Sequence, residues 1–273
     1  MSEIVLTAGV RQNLLQLQKT ADLITATQTK LATGKRVKSA LDNPINYFTA
    51  QGLTNRASDL GNLLDSMSSG ISTIQAANNG ITSITKLVQS AQALASQAQQ
   101  TTDTTVRAGL ATQFNLILGQ IDQLAGDSSF NGINLLDSAN SANLTVTLNE
   151  SGSSSVSIAA VDFTSSGLAL NNSANNWATT ADIALASADL TAGLTSLRSQ
   201  AQSFGSNLST VQIRQDFTKA MINTLQSGAD GLTLADSNEE GANLLALQTR
   251  QQLSTTALSL ASQASQAVLR LFQ

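Results

Sequence analysis

Both ends of the chain carry long apolar repeats at three-four spacing, and the Ser-, Thr- and Asn-rich stretch in the middle does not. At the N-terminus Val10, Leu14, Leu17, Ala21, Ile24, Gln28 and Leu31 advance by alternate steps of four and three. At the C-terminus Leu244, Leu247, Gln251, Ser254, Leu258, Ala261, Ser265, Val268 and Phe272 do the same. Such a repeat lays one stripe along an extended helix, so each end presents a seam that is stable only against a partner. The nearest partner within the chain is the other seam. Their pairing brings the termini together at one end of a rod and leaves the middle as the far end.

The seams carry little charge. From position 244 onward only Arg250 and Arg270 are ionic, and the N-terminal seam carries Arg11, Lys19, Asp22 and Lys30. An isolated surface helix normally wears Glu and Lys on its outer face. These wear Gln, Ser and Thr, which suits helices surrounded by other helices. An intracellular coiled-coil scaffold would carry more outer charge, and an ordinary intramolecular bundle is disfavoured on the same ground.

Composition removes most chemistry. The 273 residues hold no His and no Cys, so there is no imidazole base, no thiolate nucleophile and none of the usual zinc, haem or iron-sulfur ligand sets. The Asp and Glu residues form no EF-hand-like cluster. The reading is therefore a non-enzyme without cofactor or metal. Tyr47 and the lone Trp177 read as packing residues. A formal net charge of -4 argues against nucleic acid, and the short run Lys35, Arg36 and Lys38 reads as a solvated loop rather than a phosphate site. No stretch approaches the roughly 20 apolar residues of a membrane span. The first 30 residues lack a cleavable signal pattern, so the chain is expected to be cytoplasmic or exported without one.

Along the chain, residues 1–33 read as the first seam helix. Gly34 stops it, and 34–44 form a linker in which Asp42, Asn43 and Pro44 turn the chain into a new helix. Residues 45–130 read as two helices. The first carries Leu60, Leu64, Met67, Ile71, Ile74, Asn78 and Ile81, then an extra step of three to Ile84, which implies a local overwinding. Thr101 to Asp103 punctuate before Leu110, Phe114, Ile117, Ile121 and Leu124. Phe130, Asn131 and Gly132 give a turn signal. Within 131–177, Leu144, Val146 and Leu148 alternate with Thr, and a turn at Glu150, Ser151, Gly152 and Ser153 leads to Val156 and Ile158, a β-hairpin. Residues 178–230 read as a helix with Leu194, Leu197, Ala201, Phe204, Leu208, Val211, Gln215, Thr218, Ile222 and Leu225 in unbroken spacing. Residues 231–243 read as a second linker, and 244–273 as the last seam. The fold class is mainly α, with long antiparallel helices forming coiled coils and a small β-hairpin region.

At this point the residues carry a resemblance to bacterial flagellin over almost the whole length. Leu31 to Ala40 followed by Asp42 and Asn43 resembles the family's turn after the first helix. Gly70 to Ala77, and Leu94 to Ala98, resemble its first long outer helix. Ile121 to Ala125 leading into Phe130, Asn131, Gly132, Ile133, Asn134, Leu135 and Leu136 resembles its helix-to-hairpin junction. Gln251, Gln252, Leu258, Ala261, Gln263, Ala264, Gln266, Val268, Leu269 and Leu271 resemble its terminal helix.

The resemblance implies a short, two-layer structural subunit of the flagellar filament, serving motility. The seams would form an inner tube of coiled coils, with roughly residues 45–235 outside it. It further implies a homopolymer with hook-associated and cap proteins as neighbours, and secretion of the unfolded chain to the cell exterior through the flagellar export apparatus with an export chaperone. The hook-filament junction protein, which resembles flagellin at both ends, stands as the alternative. The self-assembly residues are then Val10, Leu14, Leu17, Ile24, Leu31, Leu244, Leu247, Leu258, Ala261, Val268 and Phe272. By resemblance, the positions that carry charge for receptor recognition in many flagellins are Ser90, Gln92 and Gln113 here. Ser151, Ser153, Ser154, Ser155, Ser165 and Ser166 lie in an exposed stretch open to O-linked sugars.

Overall fold

Turn residues place most helix ends. In the computed structural model, which describes residues 8–271, α1 (Ala8–Thr33) stops at Gly34, whose φ of 65° lies in the left-handed region that favours glycine. Asn43 caps α2 (Pro44–Gln100), its Oδ1 accepting from the Asn46 amide at 3.0 Å, and Pro44 occupies the first helical position. Asp103 caps α3 (Thr104–Asp127), accepting from Thr105 and Val106. α4 spans Thr180–Thr233 and α5 spans Ser237–Leu271.

Two short hairpins follow α3. The first joins β1 (Ser129–Phe130) to β2 (Ile133–Asn134) through Asn131 and Gly132, both at positive φ (49° and 79°), the geometry of a two-residue hairpin turn. The second pairs β3 (Leu144–Thr147) with β4 (Ser155–Ile158) in the register Leu144↔Ile158 and Val146↔Val156. Leu144, Val146 and Ile158 are buried while Thr145 faces out, which is the alternation read from the sequence.

The linker expected at 231–243 is much shorter. α4 continues through Ser227, Gly228, Ala229, Asp230 and Gly231, and only residues 234–236 are non-helical. Burial of Ala229 outweighs the intrinsic cost of the two glycines, and a Cβ at Gly228 would lie 3.4 Å from Leu53 Cδ1. Asp236 then caps α5 by accepting from Asn238 and Glu239.

The chain divides into two compact units, one of residues up to 55 and from 225 on, the other of residues 56–224. In the larger unit, Gln99 bonds Ser187 and Gln215 bonds Ser68, so α2 and α4 run antiparallel. Its core joins Met67, Ile74, Ile84, Phe114, Ile121, Trp177, Leu190 and Phe204 with the buried faces of the hairpins. Every position of the α4 repeat in this unit, from Leu194 to Ile222, is buried or half-buried. On α2 the inward positions are Leu64, Met67, Gly70, Ile74, Ala77, Ile81 and Ile84. The extra step of three therefore falls at Leu64, Met67 and Gly70, not between Ile81 and Ile84. Gly70 turns inward because the hairpin lies against it: a Cβ there would come within 2.5 Å of Val146 Cγ2.

Candidate assembly faces

In the smaller unit α1 packs against α5. Lys30 Nζ meets Glu240 Oε1 at 2.8 Å, and Leu23, Thr27, Leu247 and Arg250 line one groove of about 490 Å³, so the two helices are antiparallel. The inward stripe of α1 is Val10, Leu17, Ile24 and Leu31, all half-buried, interleaved with Thr20 and Thr27, which are buried. Thr20 satisfies its hydroxyl on the Gln16 carbonyl at 2.8 Å. Leu14, read from sequence as part of that stripe, lies to one side of it and is 41% exposed.

On α5 the inward stripe is Glu240, Leu244, Leu247, Gln251, Ser254, Leu258 and Ala261; all but the buried Glu240 are half-buried. The Val268 side chain and Phe272 lie outside the described residues. Sequence reasoning missed Glu240, although Asp236 and Glu239 three residues on carry the spacing of a helix-start signal that would have moved the boundary before it.

Each helix of the pair also has a second apolar surface. Leu15 and Leu23 on α1, and Leu245, Leu253 and Leu260 on α5, are between 50% and 67% exposed. Among the described residues, neither α1 nor α5 contributes a single buried hydrophobic side chain.

Below the pair, the two expected linkers bind each other. Arg36 and Val37 donate their amides to the Thr233 carbonyl at 2.7 and 3.1 Å, and Ala235 donates to the Gly34 carbonyl at 3.0 Å. Asp42 accepts from the Lys38 and Ser39 amides, which hold its carboxyl below the ordinary value of 3.8, the Lys38 bond being the larger cause. The basic run is thus shaped by its own backbone and a carboxylate.

At the hairpin junction Phe130 is 40% exposed, and Asn131 and Gly132 form the turn. The residue that ties the junction down is Asn134. Its buried amide donates to the Ala125 and Gly126 carbonyls at 2.7 and 2.9 Å, and its Oδ1 accepts from the Leu136 amide at 2.8 Å. Gly80 supports it from α2, since a Cβ there would run into Ser128 Oγ and come within 2.6 Å of Leu136 Cδ1. At the other end of the same unit the buried Arg107 donates to the carbonyls of Ala98, Thr101 and Ala178 and to the Thr180 hydroxyl. Trp177 packs against Phe114 with ring centroids 4.9 Å apart and the ring planes tilted by 50°. These are polar and aromatic staples of a folded body, and no group of three or more Asp or Glu that could hold a metal ion occurs among the described residues.

Residues 7–141 match the bacterial flagellin N-terminal helical region, and residues 187–272 match the bacterial flagellin C-terminal helical region. Flagellin FljK of Caulobacter vibrioides is 31% identical over 281 residues, which take in 100% of this chain and 99% of that protein. The chain belongs to the bacterial flagellin family. It is a structural subunit of the flagellar filament. The flagellin of Brucella melitensis is 24% identical across the whole of both chains, whereas flagellin A of Rhizobium meliloti is 44% identical over 82 residues, 30% of this chain and 21% of that one. The crystal structure of Bacillus cereus flagellin superposes with a TM-score of 0.49 at 19% identity, over 55% of this chain and 86% of that chain. In this flagellin the two matched helical regions contain the α1–α5 pair and the hairpin junction. No helix among the described residues is long and apolar enough to cross a membrane.

Proposed function

We propose that this flagellin subunit enters the filament by completing its α1–α5 pair against the same pair of other copies, so that ordering of the seams is coupled to assembly. One observation carries the reading: a helix pair that has already used its inner stripe still exposes Leu15, Leu23, Leu245, Leu253 and Leu260. Full burial of a Leu contributes about 1.5–3 kcal/mol. These side chains are roughly half-way there, so five of them offer on the order of 4–8 kcal/mol per copy before the entropy of ordering is subtracted. Val10, Leu17, Ile24, Leu31, Leu244, Leu247, Leu258 and Ala261 hold the pair itself, while Leu14 extends the contact surface; Val268 and Phe272 belong to the same self-assembly set by sequence alone. Phe130, Asn131 and Gly132 fix the junction that shapes the outer body.

The chain acts without catalysis and without a cofactor. It leaves the cell through the flagellar export apparatus, held by an export chaperone beforehand, and joins hook-associated and cap proteins at the filament's ends; family membership supports these steps. Seeded polymerisation followed by sedimentation tests the central reading. The double substitution L253S/L260S should leave the free subunit's thermal unfolding within about 0.5 kcal/mol of wild type and abolish growth from seeds. Normal growth of that variant would reject the reading.

A further inference from the structure

The larger unit exposes two unmatched features on α4. One is a groove of about 290 Å³ between α2 and α4, with Ile81, Leu197 and Ala201 as an apolar floor and Lys86 and Arg198 at its rim. Neither cation makes an ion pair or side-chain hydrogen bond among the described residues. The other is a knob further along α4, where Ile213 and Phe217 are 66% and 56% exposed. Between them in sequence stands Asp216, whose side chain is 78% exposed and whose ion-pair partner is Lys219 at 3.5 Å.

We propose that the knob of one copy seats in the groove of a second copy, Phe217 and Ile213 on the apolar floor and Asp216 on Lys86 and Arg198. This rests on the filament reading above and specifies a contact within it. A single copy cannot make the contact with itself. From the groove residues of α4 (197, 198 and 201) to the knob residues (213, 216 and 217) is about 16 residues of continuous helix and about 24 Å of rise, and the mean directions of the two sets differ by about 105°. The two features therefore face different ways at different heights, and even Arg198 and Asp216, which share one face of α4, are about five turns apart. Patches so related join copies head to tail with an axial stagger, and such contacts propagate into open helical polymers rather than closing into dimers.

The chemistry matches in kind. Two cations without a carboxylate partner among the described residues sit beside apolar surface, and the knob brings one exposed carboxylate beside an exposed ring. A guanidinium over the Phe217 face adds a cation–π term. Arg214 and Lys219 are the cations near the knob. Arg214 lies on the Phe217 flank, about 160° around the helix from Asp216, so the rim meets the carboxylate and not the guanidinium. Asp216 exchanges its weak, solvent-exposed partner Lys219 for two cations over a desolvated floor.

A charge swap tests this. In seeded growth of the full chain, D216K alone and K86E/R198E alone are each expected to raise the critical concentration about tenfold, and to flatten its dependence on salt. The combined D216K/K86E/R198E chain is expected to return to within about threefold of wild type. F217S should raise the critical concentration as much as D216K, and because Phe217 is exposed it keeps the test open if a charge variant fails to fold; far-ultraviolet dichroism of each free subunit monitors that. Reversals that leave the critical concentration unchanged, or a combined chain no better than its parents, would overturn the contact while leaving the filament reading intact. Wild-type chain that refuses to grow from seeds would overturn that reading as well.

Discussion

The α1–α5 pair and the larger unit use the same three-four spacing with opposite results. In the larger unit Met67, Ile74, Phe114, Trp177 and Phe204 are almost completely buried. In α1 and α5 the residues buried among those described are Thr20, Thr27 and Glu240, and the apolar stripe stops half-way. A body of three helices and two hairpins encloses its own core, whereas two helices side by side cannot. The comparison teaches that a heptad pattern specifies a surface to be covered without saying how many neighbours are needed to cover it.

Substitutions in the larger unit should act on the free subunit, and those in the pair on the polymer. Phe114→Ala removes a buried ring that packs against Trp177, so it should lower the stability of the free subunit by about 3–5 kcal/mol in urea titration. The L253S/L260S variant described above is its counterpart, silent in urea and decisive in growth. Gly80→Ala forces a methyl into Ser128 and Leu136. It should cost about 1–3 kcal/mol in the same titration, because helix and hairpin must separate slightly. An alanine at Gly61, with nothing within 4 Å, should not.

Acid should produce the smallest effect, and on both units. Asp42 in the linker and Asp182 at the start of α4 both have carboxyls held below the ordinary 3.8, Asp42 by the Lys38 and Ser39 amides and Asp182 first by the Thr179 hydroxyl and then its amide. A depressed folded value means that the stabilisation is complete above the ordinary value and is lost as pH falls through the folded one. Amide chemical shifts at residues 38, 39 and 179 should therefore stay constant from neutrality down to the ordinary carboxylate range and move only below it. Movement near pH 6 would show that these caps are not formed.

Much of this architecture is legible in the sequence because turn chemistry is local. Gly34, Asn43-Pro44, Asp103 and Asn131-Gly132 each end or begin an element by satisfying backbone groups within a few residues, and the α4 repeat is apolar enough to announce its inward face. What the sequence hid depends on contacts distant in the chain. Gly70 and Gly80 turn inward because hairpin residues more than 45 positions away lie against them, which displaces the register step from Ile81 to Met67. The continuity of α4 through Gly228 and Gly231 rests on burial at Ala229. Leu14 and Thr20 are ambiguous for a related reason: either column completes a seam with Val10, Leu17, Ile24 and Leu31, and only the position of α5 decides which faces inward. The exposed leucines of α5 are visible in the text, but their exposure becomes evident only once the inner stripe is assigned.

The central claim is that the seams of a free subunit lack the neighbours they need. Amide hydrogen exchange on dilute, unpolymerised protein, read residue by residue, tests it most directly. The account predicts that amides of residues 244–261 exchange on the order of a thousandfold faster than those of residues 74–84 in α2, and that the difference disappears in the polymer. Equal protection of the two segments in the free subunit would contradict it.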